Sequence, residues 1–330
     1  MTRPRFRLLV ALLTLPALLA PTVASAQTAA TWPNRPVRLV VPGAAGVAPD
    51  IMARLLGEQL SKIWNQPVVV ENRPGAGGLI GFQAVKTGVK DDHVFVFAPA
   101  SAYVLTPYMF KSQTVDIVQD FAPVAMVGIS PMMAAVAADS PANTLADALA
   151  LAKKDPDKFV VSTTAQYTVP NLAVDMISKA SGVPLRAIPY TASSQSISSV
   201  LGGDAPMLID GVPPIDPMIK GKKLKAVAIF SETRLPNRPD LPAAAETWPS
   251  LVINGWFGVV APRGTSSAAI ERVNKDLATV LAMPEIVERL DTLGVYVKTM
   301  TPAQFAAYWA AERMKWEKVL KDVGAQPVLQ

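Results

Sequence analysis

The chain has 330 residues, half of them hydrophobic, which is enough for one large core or two ordinary ones, and a formal net charge of +5. Three of those charges are Arg3, Arg5 and Arg7 in an N-terminal leader, leaving only +2 on the remainder, too little to point to nucleic acid as a partner. With no cysteine and a single histidine, His93, the sequence excludes disulfides, thiolate metal sites and two-histidine metal sites.

The three arginines precede an apolar run over 8–20, and Ala24-Ser25-Ala26 forms an A-x-A cleavage site. This reads as a signal peptide over 1–26. The run is interrupted by Thr14 and Pro16 and falls short of the roughly 20 apolar residues of a membrane span. Export without disulfides suits a bacterial periplasm.

Residues 37–41 are predicted as a strand, 42–49 as a loop and 50–63 as a helix opened by Pro49, with Ile51, Met52, Leu55, Leu56, Leu60 and Ile63 facing the core and Asn65 as its stop. A second strand over 68–70 leads through a glycine-rich loop, 72–78, into a helix over 79–87. Strand 94–97 and a third loop, 98–102, follow. Alternating strands and helices at this spacing predict a largely parallel sheet. Its loops at strand carboxyl ends collect ligands, because helix N–H groups there attract anions.

Residues 122–136 read as a strand crossing into a second domain. The pattern then repeats with a helix from Thr144, strand 159–161, loop 162–169, a helix opened by Pro170, strands 185–188, 207–210 and 224–230, and a helix over 194–201. A proline-rich loop spans 235–249, and strand 255–261 recrosses. Helices 266–281 and 284–293, strand 295–298 and a long helix capped by Thr301, Pro302 and Gln304 complete the chain, with Phe305, Trp309 and Trp316 as core. The domains are therefore expected at 32–128 plus 253–330 and at 129–252. Two crossings make a hinge, and a hinge makes a cleft that can close.

Catalytic chemistry finds little support. His93 sits beside Asp91 and Asp92 in what reads as a surface turn, and no nucleophile elbow is present. Gly75-Ala76-Gly77-Gly78 lacks the glycine that G-x-G-x-x-G needs at position 80, which is Ile80. It reads as a packing turn, with ligand contact as the alternative. Arg73 either holds this loop by bonding carbonyls or touches solute. Asp50, at a helix start, has a structural role or a solute contact open to it. Asp210, at a strand end, contacts either ligand or bound water.

The order Trp32-Pro33, Arg35-Pro36, Val41-Pro42, Gly46, Asp50 and Glu71-Asn72-Arg73-Pro74-Gly75-Ala76-Gly77-Gly78 resembles the Bug (TctC-like) periplasmic solute receptors of tripartite tricarboxylate transporters. The likeness continues through Asp120-Phe121-Ala122-Pro123, Ile188-Pro189-Tyr190, Leu201-Gly202-Gly203 and Trp256-Phe257-Gly258. The resemblance implies an α/β two-domain Venus-flytrap fold, with two mixed sheets flanked by helices and joined by two crossing strands. It implies capture of a carboxylated organic solute in the cleft, delivery to the transporter's membrane subunits, no enzymatic activity, no cofactor and no metal. A monomer is expected. The alternative is a ligand-responsive sensor docking on a signalling receptor.

By the same resemblance the ligand is held by Gly43, Ala44, Ala45, Gly46, Val47, Ala48 and Asp50 from one domain and by Thr163, Thr164, Ala165, Gln166, Tyr167 and Thr168 from the other. The unaided reading of the strand ends adds Ala100, Ser101, Tyr103 and Asp210. Where relatives carry F-P-P-G-G-G-T and S-A-G-N-G-S-T, this chain has alanines, Pro49 and Tyr167, and Thr191-Ala192 stands where K-G is common. These departures predict a solute less charged or more aromatic than a small dicarboxylate, with Tyr167 and Tyr103 packing a ring.

Overall fold

The computed structural model describes residues 32–87, 91–110, 114–164 and 168–324, so the signal-peptide reading of 1–26 lies outside the described residues. In chain order β1 (Val37–Val41) feeds α1 (Ala48–Trp64), and β2 (Val68–Asn72) feeds α2 (Leu79–Lys86). Next come β3 (Val94–Pro99), α3 (Ala100–Val104), the single turns α4 (Thr106–Met109) and α5 (Ile117–Asp120), and the long β4 (Phe121–Ala137). A second run consists of α6 (Leu145–Lys154), β5 (Val160–Thr164), α7 (Val169–Ser181), β6 (Arg186–Tyr190), α8 (Ser193–Leu201), β7 (Met207–Gly211), α9 (Val212–Lys220) and β8 (Leu224–Ile229). The chain closes with β9 (Asn254–Pro262), α10 (Ser267–Leu281), α11 (Pro284–Thr292), β10 (Tyr296–Val297) and α12 (Pro302–Asp322).

Local signals explain most of these elements. Asn65 ends α1 in the left-handed region at φ 49°. Its buried stripe is Met52, Ala53, Leu56, Leu60 and Trp64, whereas Ile51 and Ile63, expected inside, are exposed. Trp64 takes the core position because its indole N–H donates to Asp276 Oδ2 at 2.6 Å. Capping boxes start α6 at Thr144 and α12 at Thr301, and Phe305, Trp309 and Trp316 are buried as expected. The helix α9, to which the sequence reading gave no bounds, forms although it holds three prolines. Pro213 and Pro214 lie in the first turn, where an N–H has no intrahelical partner, and burial of Val212 and Ile215 carries the helix past Pro217.

The first sheet has the order β2-β1-β3-β9-β4, with β1, β2 and β3 parallel and β9 antiparallel to both its neighbours. β4 then continues into a second sheet, where it lies between β7 and β8, with β5 and β6 beyond β7. A second pass of the chain runs alongside at Met132: its N–H donates to Ile253 O at 3.1 Å, and Phe230 N–H donates to Met132 O at 2.9 Å. Gly128 admits β10 beside this passage, since a Cβ there would lie 2.6 Å from Tyr296 O. Among the described residues no helix is long and apolar enough to cross a membrane.

Two expectations fail in the first sheet's core. Tyr103 does not line a gap. It is fully buried, stacked on Trp256 at 5.2 Å and edge-on to Phe82 and Trp309, and its hydroxyl donates to Gly258 O at 2.8 Å. Its ring gains more from aromatic burial than from a wet rim. His93 is buried rather than a surface turn residue, and desolvation, then the nearby Arg35 charge, holds its pKa below the usual value.

Candidate functional site

Strand register locates the two rims. Pro99, at the carboxyl end of β3, pairs with Phe257, which pairs with Gly128 of β4. Because β1 and β2 are parallel to β3, their carboxyl ends lie on the same rim. From the other side Gly211, at the carboxyl end of β7, pairs with Met132, and β5 and β6 run parallel to β7. Both rims therefore flank the segment Gly128–Met132, about 13 Å of extended chain at the usual rise per residue.

In the first rim the loop after β1 is held by one carboxylate. Asp50, 3% exposed, accepts from Gly46 N–H at 2.8 Å and Asn72 Nδ2 at 3.0 Å and pairs with Arg54 at 2.9 Å. Asn72 also donates to Gly43 O at 3.2 Å. Burial would raise the Asp50 pKa, but the Arg54, Gly46 and Asn72 donors outweigh it and hold the carboxyl below its usual range. Of its two readings, these contacts support the structural one. Ala44, Ala45, Gly46 and Val47 are exposed, and the N–H groups of Ala44, Ala45 and Val47 donate to no protein group among the described residues. Ala48 opens α1, and Pro49 contributes no N–H. Asn72 is the member of this network that sequence reasoning missed, although its place in the Asn72-Arg73-Pro74-Gly75 run marked the segment.

The glycine-rich loop is a packing turn. Gly75, Gly77 and Gly78 all have positive φ, Thr106 Oγ1 donates to Gly77 O at 2.7 Å, and a Cβ on Gly77 would meet Phe110 and Thr106. Among the described residues the Arg73 side chain bonds no carbonyl; it pairs with Glu71, which also takes Arg38. The expected third loop is shorter than predicted, because α3 begins at Ala100 directly after β3. Ala100 is buried, which removes it from the rim, and Ser101 is exposed.

In the second rim β5 runs on to Thr164, so Ser162 and Thr163 belong to a strand rather than to the predicted loop. Thr163 is buried and its Oγ1 accepts from Asn171 Nδ2 at 3.2 Å. Thr164 and Thr168 share a hydroxyl–hydroxyl bond of 3.2 Å across the loop, while Ala165, Gln166 and Tyr167 lie outside the described residues. Asp210, at the end of β7, is buried, and its Oδ1 accepts from Gly211 N–H at 2.7 Å. Burial raises its pKa above the usual carboxyl value, against the Ser193 hydroxyl and the Gly211 N–H. Ser193, at the start of α8, escaped the sequence reading; its position just after the end of β6 was the available signal.

A family model described as the tripartite tricarboxylate transporter family receptor matches residues 52–325. A UPF0065 protein of Bordetella bronchiseptica is 34% identical, with 96% of this chain and 93% of that protein covered. Protein BugT of Bordetella pertussis is 30% identical over 92% of this chain and 94% of its own. Among solved structures, an R. palustris protein with adipate superposes with a TM-score of 0.74 at 27% identity, covering 90% of this chain and all of that one.

Proposed function

Because this chain belongs to the tripartite tricarboxylate transporter receptor family, and is thus a solute-binding receptor rather than an enzyme, we propose that it clasps a small carboxylated solute between its two rims. The observation that carries this is the register, which sets both carboxyl-end rims against Gly128–Met132. In this reading the lobes are 32–128 with 253–330 and 129–252, and they hinge on the two chain passes beside Met132. The solute's carboxylate sits on the N–H groups of Ala44, Ala45 and Val47 at the start of α1, where the helix dipole favours an anion. The exposed apolar side chains Val47 and Ile51 beside them favour a solute with an apolar body of the kind that the adipate in the R. palustris relative has.

The residues 1–26 direct export to the periplasm, and the closed form is what the membrane subunits of the transporter recognise. Native mass spectrometry of monomeric protein purified without denaturation, followed by a thermal-shift panel of mono- and dicarboxylates, tests the reading. A retained acid, or a shift of several degrees with one of them, is expected. A protein that stays empty and responds to none of the panel refutes it.

A further inference from the structure

The two rims each contain one buried carboxyl, and the two are treated oppositely. Asp50 has a donor on each oxygen, from Gly46, Asn72 and Arg54. Asp210, 7% exposed, has a single bond of normal geometry, from the Gly211 N–H to Oδ1. Its Oδ2 is buried and closes no hydrogen bond of normal geometry, although the Ser193 hydroxyl bears on the carboxyl, and none of the ion pairs among the described residues includes it. A buried acceptor left open is costly, and a site that uses it on binding recovers that cost.

The groups around Asp210 sharpen this. Thr163, Thr164, Thr168 and Ser193 bring hydroxyls to the second rim, and among the described residues no cation is paired with Asp210 to welcome a solute's second carboxylate. The first rim offers N–H groups and the second an acceptor. A solute that satisfies both is bipolar.

We infer that Asp210 is a specificity-determining residue that selects a carboxylic acid bearing a hydroxyl or ammonium donor at its far end over the matching dicarboxylate. The inference rests on the receptor reading above and adds the chemistry of the solute's second end. Like charges juxtaposed across a closed cleft cost affinity, whereas a donor on a carboxylate makes one of the stronger hydrogen bonds available.

The test is calorimetric titration of the whole protein with hexanoate, 6-hydroxyhexanoate, 6-aminohexanoate and adipate, for the wild type and for Asp210→Asn. The two donor-bearing acids are expected to bind the wild type at least about tenfold more tightly than hexanoate or adipate, a difference of about 1.4 kcal/mol. In Asp210→Asn the 6-aminohexanoate advantage is expected to shrink to about threefold or less, with adipate unchanged or improved. Adipate binding the wild type as well as or better than 6-aminohexanoate overturns the inference and leaves the receptor reading standing. So does an equal loss for all four acids in the variant, which is the mark of a structural role. If neither these acids nor any of the wider carboxylate panel binds, both fall. The wild-type series alone decides the matter should the variant fail to fold.

Discussion

Replacing Asp50 by alanine isolates what holds the first rim in shape. Three partners converge on this carboxylate: Gly46 N–H at 2.8 Å, Asn72 Nδ2 at 3.0 Å and Arg54 at 2.9 Å. Arg54 is 54% exposed, so its ion pair is worth about 0–1 kcal/mol and its loss is softened by water. A bond to a buried charged group is worth roughly 1.5–3 kcal/mol, but the Gly46 N–H can hydrate once freed and Asn72 keeps its bond to Gly43 O. The net cost should be about 2 kcal/mol, a fall in melting temperature of about 4 °C for a chain of this size. Loosening residues 43–47 also charges binding with their ordering, weakening a carboxylate ligand by roughly tenfold. Differential scanning calorimetry and titration with the best-bound acid read both effects. Wild-type values of both in Asp50→Ala, or an equal loss in Arg54→Ala, would refute the assignment of the loop's rigidity to the Gly46 and Asn72 bonds.

Three further outcomes follow from the packing and the electrostatics. Tyr103→Phe removes the bond to Gly258 O and should cost about 1 kcal/mol in urea unfolding while leaving ligand affinity within about twofold, as suits a core residue. Gly258→Ala places a Cβ against the Phe305 ring and 3.2 Å from Ala125 O, and should destabilise by about 1–3 kcal/mol on the same assay. Asp50 has a folded-state pKa below its unfolded one, so its stabilisation is present above about pH 4 and is lost as pH falls through the depressed value. Urea midpoints measured from pH 7 to pH 3 should therefore fall more steeply for the wild type than for Asp50→Asn.

Elements with a local cause were readable from the chain. The Thr301-Pro302-Ala303-Gln304 start of α12, the Thr144 box of α6, the Asn65 stop and the crossing strand β4 all stand where sequence chemistry placed them. Several misreadings share one origin, competition for the core. Helical periodicity cannot tell whether Ile63 or Trp64 turns inward, because the deciding bond is to Asp276, over two hundred residues away. Tyr103 and Ala100 follow a strand end, as rim residues do, yet Trp256 and Gly258 claim the tyrosine from a distant strand. Asp50 was legible as a helix-start carboxylate, but its saturation by Asn72 and Gly46, and the contrasting openness of Asp210, became visible only once strands β2 and β7 were in place.

A single ribbon, β4, supplies a strand to both sheets, and that governs how the molecule comes apart. Its leading half is completed only by Asn254–Pro262, after the entire second sheet has been made, while its trailing half waits for Met207–Gly211 and Leu224–Ile229. The first sheet therefore cannot be finished before the second has been laid down, and the two share β4. Loss of order on one side strips a neighbour from the other, so damage is shared and denaturation should proceed as one cooperative event rather than two staggered ones.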